Sequence, residues 1–393
     1  MEETEAVVVG AGPAGSSAAR VIAESGHEVL LLEKDRYSGE TAVCGGGLAG
    51  DFAERALARL PRTIVEKYIT DWLIYMPDKT YHLANQPGLS VCRREFDRFL
   101  AEDAASKGAN LRVQTVATNL RREGDRIVIN VRDRAVSRQY AVKSKLVVFA
   151  DGPCTMARML GLGFPRAKPD ITIHAAIYEL EWRNNPLNCF EFFFDEKVSP
   201  WGYGWVFPKR DFLNVGVGCL ISQMKGNIGA YLNYFVEKYE RVWGCLRTLR
   251  RIRFAADIIP IAHAPRIVGD NAMAVGDAAG MVDPIWGGGI GMAMEGASIA
   301  GQVAAAALEE GRFDASFLTQ YETRWKKTAD YKYLRRAHWA HELFLKYSTF
   351  DRHAFLKFMR LALWKGNSRE LKLSPADLLA KGVSGVSNLP VST

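Results

Sequence analysis

Apolar runs and their spacing divide the chain into alternating elements. Residues 6–9 form a short β-branched run suited to a buried strand. That run passes directly into Gly10-Ala11-Gly12-Pro13-Ala14-Gly15. Residues 16–25 then have helical spacing and good helix formers, and Gly26 ends them. Residues 29–32 make a second buried strand, closed by Glu33. Two later runs, 146–150 and 273–275, also predict buried strands. The second leads through Gly276-Asp277-Ala278-Ala279-Gly280, Pro284 and Gly287-Gly288-Gly289-Ile290 into a long Ala-rich helix. Alternation at period two predicts further strands within 68–84 and 170–182, and at 190–194, 205–207 and 213–219, with a hairpin turn at Pro77-Asp78. Residues 231–250 read as a helix. From 324 the pattern is helical to about Trp364 and loop-rich from Gly366, with Ser374-Pro375-Ala376-Asp377 as a helix start.

The first thirty-five residues carry chemistry. Three glycines in G-x-G-x-x-G spacing lie between a strand and a helix, and an acidic residue closes the next strand eighteen residues after Gly15. That is a complete βαβ dinucleotide-binding fingerprint. Gly10 permits the tight turn, Gly12 lets a pyrophosphate approach the backbone, and Gly15 lets the helix pack on the strand. The helix N-terminus offers its free N–H groups to phosphate. Glu33 can accept hydrogen bonds from ribose hydroxyls. A carboxylate there disfavours a 2′-phosphate, which makes NADPH a poor occupant.

Composition narrows the class. Over 393 residues, 48% are hydrophobic and 24% charged, which excludes a disordered or collagen-like chain. The six cysteines, Cys44, Cys92, Cys154, Cys189, Cys219 and Cys245, include no C-x-x-C pair. Zinc and iron–sulfur frameworks therefore have little support, no metal is expected, and reduced thiols point to a reducing compartment. The acidic N-terminus enters a strand directly, so no secretory signal is expected. No apolar run approaches about 18 residues, so no spanning helix is expected. The net charge of +7 hints at an anionic partner without choosing one.

Downstream motifs choose the dinucleotide. Arg93, Phe96, Asp97 and Leu100 form an R-x-x-F-D-x-x-L pattern at a helix start. The strand at 146–150 ends in Asp151-Gly152, with Arg158 beyond. With the G-D motif and the glycine run before the last long helix, these resemble flavoproteins built like the aromatic hydroxylases. The resemblance covers roughly residues 1 to 320. It implies FAD, contacted by Gly10, Gly12, Pro13, Ala14, Gly15, Glu33, Lys34, Cys44, Gly45, Gly47, Arg93, Ala117, Asp151, Gly276, Asp277, Gly288, Gly289 and Ile290. The last three would set backbone N–H groups near the flavin ring, where a helix N-terminus stabilises the negative charge of the reduced form.

Two further patterns are Cys44-Gly45-Gly46-Gly47 and Pro200-Trp201-Gly202-Tyr203-Gly204-Trp205-Val206-Phe207-Pro208. Together they resemble the geranylgeranyl reductase family, whose members saturate isolated C=C bonds in isoprenoid chains of archaeal lipids, chlorophyll precursors or quinones. Halogenases of the same superfamily carry W-x-W-x-I-P; Tyr203 and Phe207 depart from it, which argues against halogenation. Tyr203, Trp205 and Phe207 alternate and so share one strand face. That face would line a long apolar cavity or, on the competing reading, is plain core. Gly202 and Gly204 are expected to open space beside it. The resemblance places Cys44 beside the flavin, as proton donor, substrate guide or flavin contact. Cys44, Tyr203 and Trp205 are the catalytic candidates.

The resemblance implies an α/β fold. A discontinuous Rossmann-like FAD-binding domain would take 1–65, 90–165 and 262–323. A mostly antiparallel-sheet substrate domain would take 66–89 and 166–261, and a C-terminal helical segment 324–393. The expected function is isoprenoid reduction by hydride from reduced FAD. An FAD-dependent aromatic monooxygenase-type enzyme and a non-catalytic flavin or lipid binder on the same fold are the alternatives. An external donor, NAD(P)H or a ferredoxin-like protein, would supply electrons, and no nucleic-acid partner is expected. The charge surplus localises: residues 324–393 hold 14 Lys plus Arg against 5 Asp plus Glu, and residues 1–323 hold 37 against 39. Within that basic segment, 355–364 is dense in apolar side chains, with Lys357, Arg360 and Lys365 interleaved, which suits an interfacial amphipathic helix beside a lipid substrate and equally an ordinary docked helix with a solvated basic face. The expected location is cytoplasmic, with peripheral contact at the inner face of the membrane through 324–393.

Overall fold

The computed structural model describes residues 1–57, 60–76, 81–243, 246–347 and 368–371. The chain forms two compact units. The first holds 1–42, 93–171 and 259–342, the second 43–92, 172–258 and 343–393. Two boundaries depart from the sequence expectation. Residues 43–65, expected with the nucleotide-binding part, pack in the second unit, because Gly47–Ala49 and Val65–Ile69 both pair with Gly88–Val91. Residues 324–342, expected in a separate segment, pack in the first unit, where Trp325 and Leu334 are buried.

In the first unit, the path of an eight-stranded sheet runs Val268–Gly269, Ala272–Ala274, Arg138–Phe149, Glu2–Val9, Val29–Leu32, Asn110–Arg112. Val8 pairs in parallel with Leu31 on one side and Val148 on the other. Strands covered on both faces are continuous apolar runs, which is why 6–9 and 29–32 could be read without alternation. Thr115–Glu123 and Arg126–Asp133 extend the sheet as antiparallel strands. The helix Pro13–Glu24 and the Ala-rich helix Ile290–Glu310 pack tightly: a Cβ on Gly301 would stand 2.8 Å from that of Val21. Small residues at helical spacing (Ala293, Ala297, Ala300 and Ala304, all buried) form the facing stripe.

The second unit is built on another eight-stranded sheet. Its order is Arg251–Pro260, Thr172–Glu181, Phe212–Leu220, Tyr203–Pro208, Cys189–Phe193, Asp71–Tyr75, Tyr81–Ala84, Ser368–Leu371. The pairs around Tyr203–Pro208 are antiparallel, whereas Cys189–Phe193 runs parallel to Asp71–Tyr75. One face of this sheet buries Val206, Val215 and Val217 against the helix Ile228–Trp243 through Leu232, Phe235 and Val236. That helix is described to Trp243, Leu246–Thr248 is a separate 3₁₀ turn short of the predicted 250, and the strand Arg251–Pro260 follows where no strand is expected from the sequence. The hairpin turn at Pro77-Asp78, the apolar stretch 355–364 and the helix start at Ser374 lie outside the described residues. Among the described residues, no helix is long and apolar enough to cross a membrane.

Candidate functional site

In the first unit the fingerprint glycines form a cradle. Gly10 has φ +95°, and a Cβ there would strike the Ala150 carbonyl oxygen at 2.5 Å, so the loop can cross the sheet edge only as glycine. A Cβ at Gly15 would stand 1.8 Å from the Gly10 oxygen, which is how the helix Pro13–Glu24 reaches its strand. Gly12 is different: a Cβ there meets nothing within 4 Å. The helix has Pro13 in its first turn and no side-chain cap, so no protein side chain satisfies its leading N–H groups.

Glu33 is buried at the end of Val29–Leu32. Its carboxylate accepts from the Ala11 N–H at 3.1 Å and the Asp35 N–H at 2.9 Å. It therefore braces the glycine loop as well as offering lone pairs to a ribose. Burial raises its pKa, and the two backbone donors oppose that. The Glu33 carbonyl also receives the Thr115 N–H at 2.7 Å, which brings the strand of half-buried Ala117 alongside. Lys34 is exposed and pairs with Asp35 at 2.9 Å.

Other expected residues converge on the same cradle. The Asp151 Cα lies 3.1 Å from where a Cβ at Gly10 would be, and its carboxylate accepts from the Met156 N–H at 2.7 Å. Gly276, at φ +61°, sets the G-D turn against Ala14, 2.9 Å from Cβ to Cβ had it one. Asp277 Oδ1 lies 3.7 Å from the corresponding position on Gly289. Gly288 is exposed, with nothing within 4 Å of an added Cβ, and Gly289 begins the helix Ile290–Glu310 with no side-chain cap. Arg93 clamps buried Asp97 with bonds of 2.6 and 2.7 Å. It reaches the cradle through Gly39, packed on the Arg93 carbonyl, and Ser38, whose hydroxyl donates to the Ala11 carbonyl. Open space at Gly12 and Gly288, two uncapped helix starts and an acidic strand end fit an FAD.

The remaining site residues, Cys44, Gly45, Gly47, Tyr203 and Trp205, gather in the second unit. The expected FAD-contacting set is thus divided between the two units. Tyr203, Trp205 and Phe207 share the sheet face opposite the helix Ile228–Trp243, and their rings join Phe190, Phe192 and Trp72 at centroid distances of 4.2–6.4 Å. The C-G-G-G loop lies directly on that face: a Cβ on Gly45 would stand 2.6 Å from Phe207, and on Gly47 3.0 Å from Phe190 and Phe207. Glycine is what permits the approach.

The space-opening role assigned to Gly202 and Gly204 is corrected. Gly204 points to the other face, where Phe235 would be 2.9 Å from an added Cβ, and a Cβ on Gly202 would stand 1.9 Å from the Gly218 carbonyl oxygen. The glycines that make room are Gly216 and Gly218, opposite Trp205 and Tyr203 on the neighbouring strand. A Cβ on Gly216 would collide with the indole at 2.2 Å.

Two polar residues that no sequence motif marks also belong to this face. Trp205 Nε1–H donates to Asn214 Oδ1 at 2.8 Å, and Asn214 Nδ2–H donates to the Cys44 carbonyl at 3.0 Å. Lys209, 1% exposed, reaches the carbonyls of Gly45 at 2.7 Å and Gly46 at 3.3 Å and the Ser90 hydroxyl at 2.6 Å. Ser90 in turn donates to the Pro208 carbonyl at 2.7 Å. Three donors meet three acceptors, the arrangement of a protonated amine. Burial lowers its pKa to about 8. The only signal in the sequence was a lysine directly after the aromatic strand. The Cys44 thiol is unpaired with any other cysteine, is half-buried, and accepts from the Gly46 N–H at 3.3 Å.

Comparison with known proteins identifies the family. Residues 170–250 match the geranylgeranyl reductase catalytic domain, 5–99 an FAD dependent oxidoreductase model and 76–188 an FAD binding domain. Digeranylgeranylglycerophospholipid reductase 1 of Methanothermobacter thermautotrophicus is 33% identical over 81% of this chain and 81% of its own length. Digeranylgeranylglycerophospholipid reductase of Methanocaldococcus jannaschii is 34% identical over 84% of each. The crystal structure of a geranylgeranyl bacteriochlorophyll reductase-like protein from Thermoplasma acidophilum superposes with a TM-score of 0.77 at 27% identity, covering 100% of this chain and 94% of that one. The chain belongs to the geranylgeranyl reductase family of FAD-dependent oxidoreductases.

Proposed function

We propose that the protein saturates C=C bonds in the isoprenoid chains of an archaeal-type phospholipid. The observation that carries this reading is the apolar aromatic face of the second unit with the C-G-G-G loop laid on it. Bound FAD, once reduced, supplies the hydride. An isolated alkene has no carbonyl to hold developing charge, so the protein must contribute alignment, dryness and a positioned proton. Trp205, Phe207, Phe190 and Phe192 exclude water along the sheet face. Asn214 and Lys209 fix the backbone of the loop that carries Cys44, and the Cys44 thiol is the candidate to deliver the proton. Electrons arrive from an external donor, NAD(P)H or a ferredoxin-like protein. Hydrogen uptake by a digeranylgeranyl lipid is the test.

The same reading includes contact with a membrane surface, where such a lipid resides. On the helix Ala329–Tyr347 the exposed positions Lys332, Arg335, Arg336 and Trp339 follow one stripe, and Trp339 is 65% exposed. Cations flanking a tryptophan suit an anionic interface. Deletion of 324–393 cannot test this, because it would remove buried Trp325 and Leu334. The combined change Arg335→Glu, Arg336→Glu and Trp339→Ser leaves the core intact. It is expected to weaken sedimentation with anionic phospholipid vesicles by about tenfold or more. Unchanged vesicle binding would contradict surface docking through this helix.

A further inference from the structure

The glycine run that opens the helix Ile290–Glu310 is held in shape by one buried residue, Asp283. It is 4% exposed, and each of its polar groups is used. Its N–H donates to the Gly288 carbonyl and its carbonyl accepts from the Gly287 N–H, both at 2.8 Å. Carboxylate Oδ1 accepts from the N–H groups of Ile285 at 2.8 Å and Trp286 at 3.2 Å. Oδ2 accepts from the Tyr333 hydroxyl at 2.6 Å. The first four bonds wrap residues 283–288 around the carboxylate. The fifth ties the wrapped loop to a helix fifty positions away in sequence. One residue earlier, the Val282 backbone is hydrogen-bonded to the buried His338 ring of the same helix. Gly287 takes φ +63° within the wrap, and Gly288 beyond it faces open space.

We propose that Asp283 and Tyr333 are a positioning pair for FAD, fixing the turn so that the N–H groups at 288–290 stay aimed at the flavin. This rests on the reading that Gly288 and Gly289 meet the flavin. Neither side chain needs to touch it. A carboxylate that loses one of three donors while buried is poorly satisfied, and the turn it organises loosens. Burial already raises the pKa of Asp283, and the Tyr333 hydroxyl opposes that rise by stabilising the ionised form.

The test compares holoenzyme variants by FAD dissociation constant, visible flavin spectrum and thermal midpoint. Tyr333→Phe is expected to bind FAD about tenfold more weakly, with a shifted flavin absorption envelope. Asp283→Ala is expected to lose more. Asp283→Asn keeps an acceptor for Ile285 and Trp286 and is expected to stay within about threefold of wild type. If Tyr333→Phe lowers only the thermal midpoint, with affinity and spectrum unchanged, the pair is scaffold and the proposal falls. Equal losses in Asp283→Asn and Asp283→Ala would also overturn it. Gly288→Val, which places a side chain in the open space, separates the two readings. If FAD binds it normally, the flavin-contact reading fails first.

Discussion

Gly12→Val is expected to leave the fold intact and to weaken FAD binding by about a hundredfold or more. An added Cβ at Gly12 meets no protein atom within 4 Å, so the substitution should change unfolding free energy by no more than about 0.5 kcal/mol. The space it fills is the space a pyrophosphate needs against the helix start. Gly15→Val is the contrasting case. Its Cβ would lie 1.8 Å from the Gly10 oxygen and 3.1 Å from Ala150 Cβ, and a backbone carbonyl cannot swing aside. The helix would have to lift off the sheet, with an expected loss of about 3 kcal/mol or more. Urea titration and flavin fluorescence on both variants separate the outcomes. Equal destabilisation by both would mean that Gly12 serves the fold rather than the cofactor.

Lys209→Met is expected to lower stability by about 2–3 kcal/mol and to suppress turnover. The apolar chain fits the burial, but the carbonyls of Gly45 and Gly46 and the Ser90 oxygen lose their donor. The loop that carries Cys44 is then no longer fixed. The pH dependence has a definite sign. Burial lowers the Lys209 pKa from 10.5 to about 8, so between those values the unfolded chain binds more protons than the folded one. Stability contributed by this group therefore rises with pH through that window. The advantage of wild type over Lys209→Met should be larger near pH 9.5 than near pH 7. Turnover should move the other way, because the neutral amine has one donor fewer for the loop. A wild-type advantage that shrinks with rising pH would contradict a buried lysine of lowered pKa.

The legible parts of this molecule are those whose reasons are local. The turn from residues 6–9 into the glycine loop, the helix after it and the acidic strand end at Glu33 lie within one short stretch, and each residue type has a single-site reason. The G-D turn and the glycine run are equally local, though the packing of Gly276 on Ala14 is not. Gly204 departs from its expected role because its neighbours in sequence do not share its face: period two puts it opposite the aromatic rings, under Phe235. Gly216 and Gly218, which do make room, belong to another strand. Residues 43–65 changed unit because their partner strand, Gly88–Val91, is distant in sequence. Lys209 ran against the rule that lysines stay outside, and its three acceptors come from two remote segments. Tyr333 and Asp283, likewise, are joined only by the fold.

The most direct test of the central claim is the mass of the lipid product. The FAD-loaded protein is reduced chemically without oxygen and incubated with a digeranylgeranylglycerophospholipid, and the lipid is analysed by mass spectrometry. The account predicts a gain of two hydrogens for each double bond saturated, with loss of that gain in Lys209→Met. A lipid of unchanged mass from a protein whose flavin has been reduced, or a gain of oxygen once air is admitted, would contradict it.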